Sequence, residues 1–205
     1  MQALDWSIVL QNEMQRLDSL FRSDELAYLS LTSKIELPIR DRLAFQLHER
    51  FRTEANLTVA REWRRFDLAI LERKEPVLLV ELKAMYSFDV FTSRAATQYP
   101  GAIESDARKM AEFTRSNSVR GAGCYTLLLA THPHSAPPSQ LDGIVKYSGD
   151  IRRYHPIDGD ALLEAVSTQF RKHPASAAGE LAGGSAFGIA ASVYWWLFGP
   201  YGYAA

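Results

Sequence analysis

Two helical patterns open the chain. Within residues 4–31, apolar side chains recur every three or four positions and polar side chains fill the opposite side, which predicts one long amphipathic helix. Pro38 suits the first turn of a second helix, because proline lacks the amide hydrogen that this turn leaves unpaired. The apolar stripes of the two helices are Leu10, Met14, Leu17 and Phe21, and then Ile39, Leu43, Leu47 and Phe51.

Apolar runs after the second helix predict strands. Extended chain is expected near residues 58–63, followed by strands at 65–71 and 77–83 with the sequence ERKEP between them as a turn. The continuous apolar run GCYTLLLAT predicts a later strand that is buried on both faces. Before it, a helix is expected from about residue 102, with its inward side formed by Ile103, Ala107, Met110 and Ala111.

The C-terminal third mixes loop, helix and strand signals. HPHSAPPSQ is expected to be a loop because of its proline and serine content, and PASAAGELAGGS a flexible connector. Between them, GDALLEAVSTQFRKH predicts a helix with Asp160 as its N-cap. The last apolar run, from about 186 to 198, predicts a strand or hairpin arm that covers the core.

The order of elements predicts a single mixed α/β domain over residues 1–205. Its central sheet would contain a three-strand meander, a crossover helix and a further strand, with helices on its faces. Its parts are an N-terminal helical extension at 1–34, a core at 36–131, and a C-terminal helix and strand elaboration at 132–205.

The composition narrows the class of protein. The chain has 205 residues, 47% of them hydrophobic, and a net charge of -1, which describes an ordered globular protein with no general attraction to nucleic acid or anionic membranes. The single cysteine, Cys124, cannot form an internal disulfide and favours a reducing compartment. The most apolar segment, SAFGIAASVYWWLFGPYGY, is too interrupted to span a bilayer. We therefore expect a soluble cytoplasmic protein that does not enter membranes.

Charged residues interrupt the two predicted strands of the meander. If ERKEP is the turn, Asp67 lies directly opposite Glu81, with Cβ atoms roughly 5 Å apart. Lys83 lies two residues beyond Glu81 and therefore on the same face. Two carboxylates at this spacing repel each other unless positive charge lies between them. Lys83 can supply part of that charge, and Mg²⁺ can supply more because it prefers oxygen ligands and keeps part of its water shell.

This arrangement resembles the PD-(D/E)XK nuclease superfamily, which has the restriction-endonuclease-like fold. The family motif is an acidic residue on one core strand and (Asp/Glu)-x-Lys on the next. Here it is Asp67 and then Glu81-Leu82-Lys83, after 13 intervening residues. Residues 36–131 match the family order of helix, three-strand meander, crossover helix and strand, and Phe66 stands where the motif has proline.

The resemblance implies a metal-dependent nuclease, a hydrolase that cuts phosphodiester bonds. Mg²⁺, with Mn²⁺ as a substitute, would be held by Asp67, Glu81 and the backbone carbonyl of Leu82. Lys83 would orient the attacking water or stabilise charge on the phosphate. The resemblance alone favours DNA over RNA, endonuclease activity, and products that carry a 5′ phosphate.

The family pattern also points to candidates before the motif. Glu36, at the start of the second helix, would match a glutamate that precedes the meander, and Glu49 is the second choice. Glu62 would match an acidic residue of the first strand, or it would form a cross-strand pair with an arginine. Nearby basic side chains would contact phosphates or be ordinary solvated residues; they include Arg61, Arg64 and Arg65.

The crossover helix offers Gln98, Asp106 and Lys109, because many family members place a glutamine or lysine there. Lys109 is also a candidate for nucleic-acid binding. Since Asp106 and Lys109 are three residues apart, an ordinary pair on the helix surface is the alternative.

A non-catalytic module that binds nucleic acid or protein on the same fold is the alternative function. The N-terminal helix and the apolar run 186–198 would then serve a protein partner. The same two segments offer surface for a homodimer, which nucleases that cut both strands often form. Of the adjacent Trp195 and Trp196, one is expected in the core and the other to stack on a base or a partner protein.

Overall fold

A six-stranded mixed sheet lies at the centre of the computed structural model, which describes residues 4–92 and 95–201. The spatial order of the strands is β1-β2-β3-β4-β6-β5. Only β3 and β4 are parallel among these neighbours, and a crossover helix joins them. The strands are β1 Leu57–Trp63, β2 Phe66–Glu72, β3 Glu75–Tyr86, β4 Gly123–Pro133, β5 Ala175–Ala186 and β6 Ile189–Phe198.

Helices cover both faces of this sheet. The first three pack on one face, and the fourth and sixth pack on the other. The fifth packs near the end of β3. Their bounds are α1 Trp6–Gln15, α2 Glu25–Thr32, α3 Glu36–Phe51, α4 Ala95–Ser116, α5 Ser148–Tyr154 and α6 Gly159–Gln169. None of the helices in the described ranges is long and apolar enough to cross a membrane.

Alternating side chains of β4 serve the two faces. Leu127 and Leu129 belong to the core under α1–α3, whereas Leu128 and Ala130 belong to the core under α4 and α6. Because both sets are buried, the strand needs a continuous apolar run rather than an alternating one. The predicted α/β architecture, a mixed sheet flanked by helices, is confirmed.

The predicted single helix at residues 4–31 is wrong, because the chain turns between α1 and α2. Asp24 adopts a left-handed backbone conformation with φ 64°. Its Oδ1 accepts a hydrogen bond of 2.7 Å from the amide of Ser185 in β5. This contact fixes the start of α2 against the sheet, where Leu26 and Leu31 are buried. The stripe of α3 is buried as predicted at Ile39, Leu43, Leu47 and Phe51.

The predicted flexible connector is also wrong, because it forms β5 and pairs with β6 in a hairpin. Its small residues fit under large neighbours: a Cβ at Gly179 would lie 2.6 Å from the ring of Trp195. The expected strand at 186–198 is confirmed as β6. Trp195 and Trp196 point to opposite faces of the sheet, and both are buried. Neither tryptophan is therefore exposed for stacking on a base.

Two smaller differences concern the helices before β5. The N-cap of α6 is Asp158, whose side chain accepts from the amide of Ala161, and not Asp160. Helix α5 was not predicted, because seven residues are too few for a clear apolar period.

Gly179→Ala should lower the free energy of unfolding by about 1–3 kcal/mol, because the new methyl group overlaps the buried indole of Trp195. Gly101→Ala is the matched control: nothing lies within 4 Å of a Cβ there, and alanine should stabilise α4 by up to about 1 kcal/mol. Urea unfolding of both variants measures the two changes. Equal stability of the two variants would contradict the packing described for β5.

Candidate active site

The hairpin of β2 and β3 determines which side chains meet. Its turn contains only Arg73 and Lys74, both with positive φ (48° and 79°), as in type I′ hairpins. The predicted five-residue turn is therefore wrong. An irregularity near Ile70 and Leu71 then shifts the pairing by one residue, so that Leu68 lies opposite Val80. From there to the end of the ladder at Leu68 and Val80 the register is the predicted one, and Asp67 and Glu81 are the next residues on the two strands.

Asp67 lies where the regular ladder between β2 and β3 has ended. Its Oδ2 accepts a hydrogen bond of 2.8 Å from the backbone amide of Leu82. The carboxylate is half-buried, and its charge acts on Glu81 and Glu36 by raising the pKa of each. Asp67 therefore contributes both to holding β3 in place and to the negative potential of the site.

Glu81 is a buried carboxylate, with only 4% of the residue exposed. Lys109 of α4 donates a hydrogen bond to its Oε1, and the Nζ of Lys83 lies 3.8 Å from its Oε2. Burial raises the pKa of Glu81 to about 7 despite the hydrogen bond from Lys109, and the charges of Asp67 and Asp106 add to the rise. The positive charge around Glu81 therefore does not fully compensate its ionisation.

Lys83 points to the same side of β3 as Glu81, as predicted. Its Nζ forms an ion pair of 2.9 Å with Oδ2 of Asp106 and donates to the carbonyl of Leu82 at 3.1 Å. Burial works against the charged form, but the attraction of Asp106 and then of Glu81 and Asp67 raises the pKa of Lys83. Lys83 is therefore held as an ammonium.

Asp106 and Lys109 do not form the helix-surface pair that their spacing allows. Asp106 is buried against Lys83, and Lys109 reaches Glu81 and the backbone carbonyl of Arg65. Burial raises the pKa of Asp106, with Lys83 opposing that shift. The sequence contains a signal for this role, because Asp106 falls on the apolar stripe of α4 between Ile103 and Met110.

Glu36 begins α3 and faces the same group of charges. Burial raises its pKa, Asp67 raises it further, and Lys83 and the amide of Ala84 oppose the rise. With it, the described residues of the site supply four carboxylates against the ammonium groups of Lys83 and Lys109, and Lys34 also acts on Glu36 by its charge. We call Glu36, Asp67, Glu81 and Asp106 the carboxylate cluster.

The other predicted acidic and amide candidates lie outside this cluster. Glu62 is exposed and pairs with Arg40 of α3 at 2.7 Å, so its arginine partner comes from a helix and not from the neighbouring strand. Glu49 pairs with Arg52 at 3.4 Å on a solvated helix face. Gln98 is exposed and lines a cleft beside the end of β3.

The predicted basic patch lies at the β1–β2 turn. Arg64 and Arg65 occupy this two-residue turn with φ of 48° and 69°, and both side chains are exposed. The guanidinium of Arg64 lies 5.2 Å from the ring centre of Trp63, and Arg61 pairs with Asp41 at 3.0 Å. Because Lys109 binds the Arg65 carbonyl, the turn adjoins the carboxylate cluster.

The cluster offers the kind of ligand atoms that a hard divalent cation prefers. Its side chains offer oxygen atoms, as does the carbonyl of Leu82, and among the described residues its carboxylates outnumber the ammonium groups near them. Burial is the main cause of the raised pKa of Glu36, Glu81 and Asp106, and the charge of Asp67 adds to each rise. The described ranges contain no group of three or more His, Cys, Asp or Glu side chains already arranged around a metal position. The carboxylates are directed instead onto Lys83, Lys109 and the amide of Leu82.

Comparison of the chain with family models, with curated proteins and with solved structures finds no match.

Without a metal, stability should fall as the pH rises through the range in which Glu81 ionises. The unfolded chain releases this proton near pH 4.5, whereas the folded protein keeps it up to about pH 7. Folding thus binds a proton between these values, and ionisation of Glu81 costs up to about 3 kcal/mol above them. Melting curves in EDTA from about pH 5 to about pH 8 should show the decline, and Glu81→Gln should make it less steep, since Glu36 and Asp106 still contribute. The same slope in Glu81→Gln as in the wild type would contradict this assignment.

Proposed function

We propose that the chain is a divalent-cation-dependent nuclease, which hydrolyses phosphodiester bonds of nucleic acid on a restriction-endonuclease-like core. The observation that carries the proposal is the grouping of Asp67, Glu81 and Lys83: Asp67 binds the amide of Leu82 and acts on Glu81 by its charge, and Lys83 lies 3.8 Å from Glu81. A structural ion-pair network has no need of more carboxylates than cations in a half-buried site. The resemblance of the motif to PD-(D/E)XK nucleases favours DNA and endonuclease cleavage.

Asp67, Glu81 and the Leu82 carbonyl would hold the cation, Mg²⁺ or Mn²⁺. The bound cation would polarise the phosphate and lower the pKa of an attacking water. The chain itself supplies Lys83, whose ammonium already lies among two carboxylates and the Leu82 carbonyl. It would orient the water or stabilise the negative charge that grows on the phosphate. Asp106 acts through Lys83 and is a positioning residue, because its ion pair keeps that ammonium protonated and in place.

Arg64 and Arg65 would contact backbone phosphates next to the cluster. Both side chains are exposed on a tight turn that adjoins Lys109, and arginine forms bidentate hydrogen bonds with phosphate. Such contacts position a nucleic acid without reading its sequence. Arg61, already paired with Asp41, would contribute less.

The test is a cleavage assay with circular duplex DNA and linear single-stranded DNA, in Mg²⁺ and in EDTA. The wild type should shorten or open DNA only with Mg²⁺ and leave 5′-phosphate ends. Glu81→Gln should lose this activity, whereas Glu49→Gln, which changes an exposed carboxylate of α3, should keep it. DNA that stays intact with Mg²⁺ under all these conditions would contradict the proposal.

A binding module without catalysis is the second candidate function. The observation that favours it is that Lys83 and Lys109 are each engaged with carboxylates in the metal-free chain. In that function Mg²⁺ would change neither DNA length nor protein stability. The two segments expected to form a homodimer surface are largely used inside the chain, since β6 lies between β4 and β5, and α1 buries Leu10 and Met14. A homodimer and a reducing, cytoplasmic location therefore remain predictions from the sequence.

A further inference from the structure

Four aromatic side chains line a cleft beside the end of β3, together with polar and charged ones. It has a volume of about 260 Å³, and its lining includes Lys34, Met85, Tyr86, Phe88, Tyr99 and Tyr147. We call it the tyrosine cleft. Tyr86 is fixed at its base, because its hydroxyl donates to the carbonyl of Ser30 at 2.8 Å. Tyr147 is 43% exposed and forms an open side of the cleft.

Tyr147 adopts an unusual backbone conformation for a large residue. Its φ is 57°, in the left-handed region that costs a bulky side chain of order 1 kcal/mol or more. In this position its ring packs edge-on against Tyr86, with centroids 5.2 Å apart, and against Phe88 at 6.2 Å. The ring is therefore held at a fixed angle while much of its surface stays open to solvent. A glycine would fit this backbone conformation better, so the backbone does not account for a tyrosine at this position.

The tyrosine cleft lies next to the carboxylate cluster along β3. The hydroxyl of Tyr99 lies 3.5 Å from the carbonyl of Ala84, the residue after Lys83, and donates to Asp89 at 3.1 Å. Met85 lies two positions after Lys83 on the same side of β3, which is about 7 Å along a strand. A group bound in the cleft would therefore be a neighbour of a phosphate bound at the cluster.

The described residues around the cleft include two ammonium groups and two carboxylates. Lys34 lines it, and the Nζ of Lys146 lies 5.4 Å from the ring centre of Tyr147. Oδ2 of Asp89 accepts hydrogen bonds from the Tyr86 amide and the Tyr99 hydroxyl. Asp150 also lines the cleft and can accept hydrogen bonds from the amino groups of a base. Aromatic rings with basic residues beside them are the usual means of binding unpaired bases.

We propose that the tyrosine cleft stacks one unpaired nucleobase against Tyr147, next to the phosphate that the carboxylate cluster receives. The substrate class is therefore nucleic acid with a single-stranded or unpaired segment. A base inside a duplex is already stacked on both sides and enters such a cleft only by leaving the helix, which costs free energy. This inference rests on the proposed function for the position of the phosphate, although binding of the base does not depend on cleavage.

The test measures DNA binding in EDTA by fluorescence anisotropy, with a labelled single-stranded oligonucleotide and a blunt duplex of the same sequence. Tyr147→Gly should weaken single-strand binding by roughly tenfold or more and change duplex binding by less than about twofold. Phe187→Gly is the matched control, because Phe187 is also an exposed aromatic residue with φ 57°, at the β5–β6 turn. It should bind both DNAs as the wild type does. Tyr147→Asn, which also tolerates the left-handed conformation, should repeat the loss.

Three results would overturn the inference. The wild type could bind neither DNA, or Tyr147→Gly could bind the single strand as tightly as Phe187→Gly does. The third is a Tyr147→Gly variant that loses the same affinity for both DNAs. A wild type that needs Tyr147 for single-strand binding but never cuts would refute the nuclease and leave the base site standing. A wild type that cuts DNA with no dependence of binding on Tyr147 would refute the base site alone.

Discussion

Lys83→Ala should abolish Mg²⁺-dependent cleavage and also destabilise the fold by about 3 kcal/mol. Its ammonium is the ionic partner of the buried carboxylate of Asp106. It is also the second cation near Glu81, after Lys109. Removing it leaves Asp106 buried without its cation, and such uncompensated charges are costly. A cleavage assay together with urea unfolding in EDTA measures both effects.

A second substitution separates catalysis from stability at Lys83. Adding Asp106→Asn to Lys83→Ala removes the uncompensated charge, so stability should recover by about 1–3 kcal/mol while cleavage stays absent. Lys172→Ala, at an exposed lysine far along the chain, should change neither property. If the double variant regained cleavage together with stability, Lys83 would be a structural residue only.

Asp67→Asn should lower cleavage by about a hundredfold or more while leaving the fold intact. The amide oxygen of asparagine can still accept the hydrogen bond that Leu82 donates at 2.8 Å. Asparagine lacks the negative charge of aspartate, and the cation thereby loses an anionic ligand. Melting curves with and without Mg²⁺ should show stabilisation by the ion in the wild type and none in Asp67→Asn.

Asp67→Ala is the informative contrast. It removes the acceptor as well as the charge, so the amide of Leu82 loses its partner and stability should fall by about 1–3 kcal/mol in EDTA. Equal stability of the alanine and asparagine variants would show that the hydrogen bond to Leu82 contributes little.

The sequence predicted the parts of the fold that depend on local pattern. The buried ridge of α3 was predicted from apolar residues at i, i+4 spacing. Strand β4 was predicted from its long continuous apolar run. The register next to Asp67 and Glu81 was predicted through a turn that is longer than the real one. The one-residue shift near Ile70 and Leu71 offsets this error, so the register beyond it is unchanged.

The sequence could not predict the parts that depend on distant partners. The residues of β5 are mostly alanine, glycine and serine, which have low strand propensity, and β5 forms because β6 pairs with it and α2 packs on it. The break between α1 and α2 depends on a contact between Asp24 and Ser185, which lie far apart in sequence. In the site, the ion pair between Lys83 and Asp106 connects β3 with α4, and only the crossover brings them together.

Titration of the metal-free protein with Mg²⁺ in a calorimeter is the most direct test of the proposal that the carboxylate cluster is a cation site. It needs no choice of nucleic acid, so a missed substrate cannot obscure the result. At about pH 8, where Glu81 is ionised, the wild type should bind Mg²⁺ with saturable heat, and Asp67→Asn, folded but one charge short, should not. A wild type that binds no Mg²⁺, or an Asp67→Asn variant that binds it equally well, would contradict a metal-dependent nuclease at this site.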